Sequence, residues 1–139
     1  MAKYMLIMRG TDESMATMMA TPFEEMLETV GRFNEELIRA GVLVAAEGLD
    51  DPGQSVVVDF SGETPVVTDG PYGETKELFG GFYLIEVASK EEAVEWAKRM
   101  PAIPGSKCEI RRVPGIEEFP QENEWIIRER AWRERTGQL

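Results

Sequence analysis

Successive side chains of a β-strand point to opposite faces, so a strand beside a one-sided core alternates apolar with polar residues. The run at residues 4–8 does not. Tyr4, Leu6 and Met8 are apolar on one side, and Met5 and Ile7 are apolar on the other. The run at 82–87 repeats the pattern, Phe82 and Leu84 standing against Tyr83, Ile85 and Val87. A sheet built on such strands has to be covered on both faces. Helices from a chain of 139 residues account for one face. A second copy of the same chain is the economical cover for the other, so a homodimer is expected.

The remaining elements follow from periodicity and punctuation. Thr21, Pro22 and Glu24 mark a helix start, with Thr21 as N-cap, Pro22 in the first helical position and Glu24 closing a capping box. Phe23, Met26, Leu27, Val30, Phe33 and Leu37 then recur at helical spacing, and Gly41 ends the helix. Residues 10–20, with Met15, Met18 and Met19, read as a loop, the methionines being either an adaptable cover over a pocket or ordinary packing. Residues 42–46 form a strand and 50–53 a turn. Residues 55–60 and 65–68 form an inserted hairpin. Ser89 and Glu92 open a second helix that Pro101 stops, and residues 107–113 supply the last core strand. Without the hairpin the order is β-α-β-β-α-β, an α+β, ferredoxin-like pattern. The core domain is placed at 1–113 and a C-terminal helical extension at 114–139. In that extension Glu122 and Glu124 precede Arg128, Arg130, Arg133 and Arg135, an order that suits the helix dipole. Trp125 and Trp132 fall on one side of it, and docking on its own dimer is preferred to docking on another protein.

Composition narrows the function. The formal net charge is −11, with 26 acids against 15 bases. Phosphate neutralisation needs a basic surface, so nucleic-acid binding is not expected. The chain has no histidine, which removes imidazole bases, Ser-His and Cys-His pairs and His-based metal sites. Cys108 is the single cysteine and reads as a small buried thiol. No run reaches transmembrane length. A cytoplasmic protein with no membrane partner, no metal and no cofactor is expected.

The densest polar chemistry lies in Thr68-Asp69-Gly70-Pro71-Tyr72-Gly73-Glu74-Thr75-Lys76-Glu77, followed by Gly80-Gly81. Asp-Gly-Pro is a turn signal in which Gly70 is expected at positive φ and Asp69 bonds backbone N–H groups ahead of it. This stretch resembles the signature of the DGPF-motif branch of the YCII-related proteins, with Tyr72 where the motif has Phe. The resemblance covers roughly residues 3–113. It implies a dimeric α+β barrel, two sheets packed face to face. It also implies a regulatory role, since members of that branch look like accessory partners of extracytoplasmic-function sigma factors. Some YCII-related proteins carry a His-Asp pair proposed to be catalytic, and this chain has no histidine to supply one.

Six residues are candidates for binding a small polar or anionic ligand: Arg9, Glu47, Asp69, Tyr72, Lys76 and Glu77. Lys76 beside Asp69 and Glu77 is either a ligand clamp or a surface ion pair that ties the loop down. Glu47 ends an apolar strand, facing either the cleft under the helices or a solvated loop with Asp50 and Asp51. Arg9 is the nearest cation for an anionic ligand. Two functions stand open. The preferred one is a homodimeric small-ligand-binding or regulatory module without catalysis. The alternative is a cofactor-independent lyase, isomerase or monooxygenase acting on an activated carbon acid. In that case Glu47 or Asp69 would be the base, with Lys76 or Arg9 stabilising developing negative charge.

Overall fold

The two-faced strands form the centre of the sheet. The computed structural model describes residues 1–71, 77–101 and 103–139. Strands β1 (Ala2–Gly10), β2 (Leu43–Gly48), β5 (Leu78–Val87) and β6 (Lys107–Val113) make one antiparallel sheet in the order β2-β5-β1-β6. Strands β3 (Val56–Asp59) and β4 (Val66–Asp69) form a separate two-stranded hairpin. The apolar strands β1 and β5 occupy the interior positions, as their composition requires. The order and the helices between strands are those of a ferredoxin-like α+β fold.

Register assigns the faces. Leu6 lies opposite Tyr83, and Tyr4 opposite Ile85. These four side chains join Phe33 and Leu37 of α2 (Phe23–Arg39) and Ala93 of α3 (Lys90–Lys98) in the core, with Val42 and Val87. Phe33 meets Tyr83 edge to face at 5.3 Å. The Tyr83 hydroxyl donates to Asn34 Oδ1 at 2.6 Å, so the buried ring keeps a polar partner. Burial pushes the Tyr83 phenol above its ordinary pKa. Cys108, opposite Met8 on this face, is half-buried, and desolvation with the nearby Glu109 charge raises its thiol pKa. That placement agrees with a packing role.

Two local expectations are corrected. Residues 12–20 are not loop but α1 (Asp12–Ala20), capped by Thr11 and Ser14 in a reciprocal box. Thr21 therefore follows α1 and donates to the Thr17 carbonyl at 2.8 Å, while α2 starts after Pro22 with no side-chain cap. The stripe of α2 holds from Phe33 to Leu37, both buried, but Phe23 and Leu27 in its first turns are exposed. Gly41, at φ 71°, ends α2 as expected. Helix α4 (Glu124–Arg135) forms where charge order placed it, with Asn123 as N-cap. It turns Ile126, Arg130 and Arg133 toward partial burial and leaves Trp125 and Trp132 68% and 47% exposed.

Candidate functional site

The second sheet face carries the candidate site. Residues 3, 5, 7 and 9 of β1 point away from α2 and α3. Across from Ile7 stand Phe82 on one side and Glu109 on the other, with Glu47 beyond Phe82. Met5 faces Leu84 and Arg111, and Arg9 faces Lys107. The face thus has an apolar centre of Met5, Ile7, Phe82 and Leu84. Its charges gather where β1 ends and β6 begins.

Those charges form one network. Glu109 accepts from Arg9 Nε at 2.9 Å and is also paired with Arg111. Lys107 pairs with Glu77, the last residue of the signature loop. Arg111, with Arg9 beside it, holds the Glu109 carboxyl below its ordinary range. Lys107, and more weakly Arg9, does the same for Glu77. Three bases against two acids leave this corner locally cationic in a chain of net charge −11. Such a corner can hold the polar or anionic end of a small molecule, with the apolar centre beside it for the remainder.

Of the six sequence candidates, Arg9 and Glu77 come together here. Glu47 stands on this face rather than under the helices, two strands from β1 and exposed. Asp69 lies on the hairpin opposite Val56, also exposed. Tyr72 and Lys76 lie outside the described residues. The partners of Arg9 and Glu77 were not anticipated, yet the signal was present. Lys107, Glu109 and Arg111 alternate with Cys108 and Ile110, which puts three charges on one face of one strand.

Gly70 departs from expectation in its reason. It is not among the glycines at positive φ, which among the described residues are Gly41, Gly81, Gly105 and Gly137. Its N–H donates to the Ser55 carbonyl at 2.8 Å, and a Cβ there would sit 2.0 Å from Ser55 Oγ. Close approach of the two chain segments at the hairpin base, not a left-handed turn, excludes a side chain.

Two surface grooves, one along α2 between Glu28 and Arg39 and one beside α4 at Gln121, Ile127 and Arg130, involve none of these candidates. Among the described residues no group of three His, Cys, Asp or Glu is arranged to hold a metal ion, and no helix is long and apolar enough to cross a membrane. A family model, the YCII-related domain, matches residues 2–117. An uncharacterized protein of Rhizobium meliloti (strain 1021) is 32% identical over 75 residues, 54% of this chain and 60% of that protein. The match thus spans less than two thirds of that relative's length.

Proposed function

This chain belongs to the YCII-related family, and from that premise we propose that it is a homodimeric small-ligand-binding or regulatory module of the DGPF-motif branch. In this reading the outer faces of two sheets pack together as a dimeric α+β barrel. The ligand end is the corner of Arg9, Glu77, Lys107, Glu109 and Arg111. Residues 1–113 form the module, and 114–139 form an extension that serves the assembly. The regulatory role is that of an accessory to a transcription-regulatory system, exerted through the dimer rather than through contact with nucleic acid.

One observation carries the reading. The single chain exposes 10165 Å², whereas a compact monomer of 15.6 kDa should expose only about 7,200 Å². The excess, roughly 3,000 Å², is enough for the area that an obligate dimer hides, on the order of 1,000–2,500 Å² or more per chain. Much of it is apolar: Phe23, Phe60 and Trp125 are each at least two-thirds exposed.

Sedimentation velocity at micromolar concentration tests the assembly, and a dimer is expected. Leu84→Asp puts a charge at the centre of the outer face and should dissociate it. A wild-type chain that sediments as a stable, folded monomer would overturn the reading. For the ligand end, thermal shifts across a panel of small carboxylates and phosphates should include a stabilising compound whose effect Arg9→Ala removes.

A further inference from the structure

The β3–β4 hairpin has one face that no other element among the described residues covers. Cross-strand pairing sets Val56 beside Asp69 and Val58 beside Val67. The three valines of this face are 65%, 44% and 65% exposed. A two-stranded ribbon is marginally stable alone and gains its stability from a surface packed on it. The segment 49–71 that carries the ribbon holds five acids and no base. Among the described residues, none of Asp50, Asp51, Asp59, Glu63 and Asp69 enters an ion pair.

The matching surface is the outer face of the sheet. Its centre is apolar; on β1 and β6 it presents Lys3, Arg9, Lys107 and Arg111 against Glu109, and β5 and β2 add Glu86 and Glu47 away from the Arg9–Lys107–Arg111 corner. Two copies that each carry −11 repel one another, so association requires acid-rich segments to be set against basic ones. The hairpin segment and the β1–β6 end of the outer face fit this requirement. They also match in pattern, three valines and an acid against an apolar strip with bases at its β1–β6 end.

We propose that the hairpin is an exchanged arm: in the dimer, β3–β4 of one copy crosses the outer sheet face of the other, with Val56, Val58 and Val67 on its apolar strip and Asp69 at the partner's Arg9, Lys107 and Arg111. This rests on the dimer proposed above and makes the ligand end composite. Arg9 and Glu77 of one chain face Asp69 of the other, so neither chain holds a complete site.

The test uses the full-length chain. Val58→Asp/Val67→Asp alters residues already in water in the single chain, so the fold should survive by circular dichroism. The dimer dissociation constant, read by sedimentation, should rise about 30-fold or more. Asp69→Arg should weaken the dimer, and adding Arg111→Asp in the same chain should restore part of the loss. A second measurement does not depend on stability. Two tagged Cys108→Ser chains, one with Val67→Cys and one with Arg111→Cys, are co-expressed and oxidised, and a disulfide joining the two tags is expected. A wild-type dimer whose dissociation constant is unchanged by the valine substitutions, or whose cysteines do not join between chains, would overturn the arm and leave the dimer standing. A wild-type monomer would instead overturn the dimer itself.

Discussion

A side chain's neighbours across the fold decide its role, and Gly70 shows how far a local rule reaches. The sequence motif marked this position as one where glycine is needed, and it is, but for its closeness to Ser55 rather than for its dihedral angles. Ser55 Oγ donates to the Pro52 carbonyl at 2.6 Å, so it cannot swing aside without losing that bond. Gly70→Val should therefore open the hairpin base at a cost of about 1–3 kcal/mol, the range for overpacking. Amide hydrogen exchange should show protection lost in β3 and β4 while β1 and β5 stay protected. Unchanged protection in the hairpin would mean that the segments have room to part. The same limit applies to the charged corner. Arg9 and Glu77 were legible as candidates from sequence, whereas their partners come from a strand about 100 and 30 residues away, a pairing that only register determines.

Elements with a strong period or, like α4, a clear order of charges were readable, and α1, with neither, was not. The spacing of Phe33 and Leu37, the Ser89 cap and the alternation in β6 each reflect a side chain's need for the core or for water. Helix α1 lacks an apolar face. It is held by its ends; acids in the first turn suit the dipole, and Glu13, the alanines and the methionines are good helix formers. The informative signal was Thr11-x-x-Ser14, which the nearby Thr21-Pro22 obscured. Thr11 Oγ1 accepts from the Ser14 N–H at 3.3 Å and donates to the Gly105 carbonyl at 2.9 Å, tying the helix start to the turn before β6. Thr11→Ala should thus cost about 1–2 kcal/mol in urea unfolding, and Thr11→Ser should recover most of it. Equal stability of all three chains would show that the cap contributes nothing.

For the whole molecule, charge sets the response to pH. Glu118 is held below its ordinary pKa by Arg112, which reaches it at 2.7 and 2.9 Å, and by the Gly115 N–H. Glu109, held by Arg111, and Glu77, held by Lys107, are shifted the same way. A carboxylate with a folded pKa below its unfolded value stabilises the fold above that unfolded value, 4.5 for these glutamates, and the contribution fades as pH falls through the folded pKa. Mild acid first acts in the opposite sense, because it relieves repulsion in a chain of pI near 4.5. The melting temperature should accordingly hold or rise between pH 7 and about 5 and drop below about 4.5, with Glu118→Gln showing a shallower drop. A melting temperature that stays flat down to pH 3 would show that these pairs do not stabilise the fold. Two-faced strands in the sequence call for a cover on the outer face, but one chain's pattern does not say which residues of another copy would supply it.

The hairpin leaves the sheet after Gly48 and its connection rejoins at Leu78, and below it Gly48 and Gly81 remain paired as the last rung of β2 on β5. Everything between those points can change in length or lettering while the register of the four-stranded sheet stays as it is. The pairing of the four-stranded sheet and the hairpin that leaves it are therefore written in separate stretches of this chain. A lineage could lengthen or reletter residues 49–77 without disturbing the strand pairing beneath them.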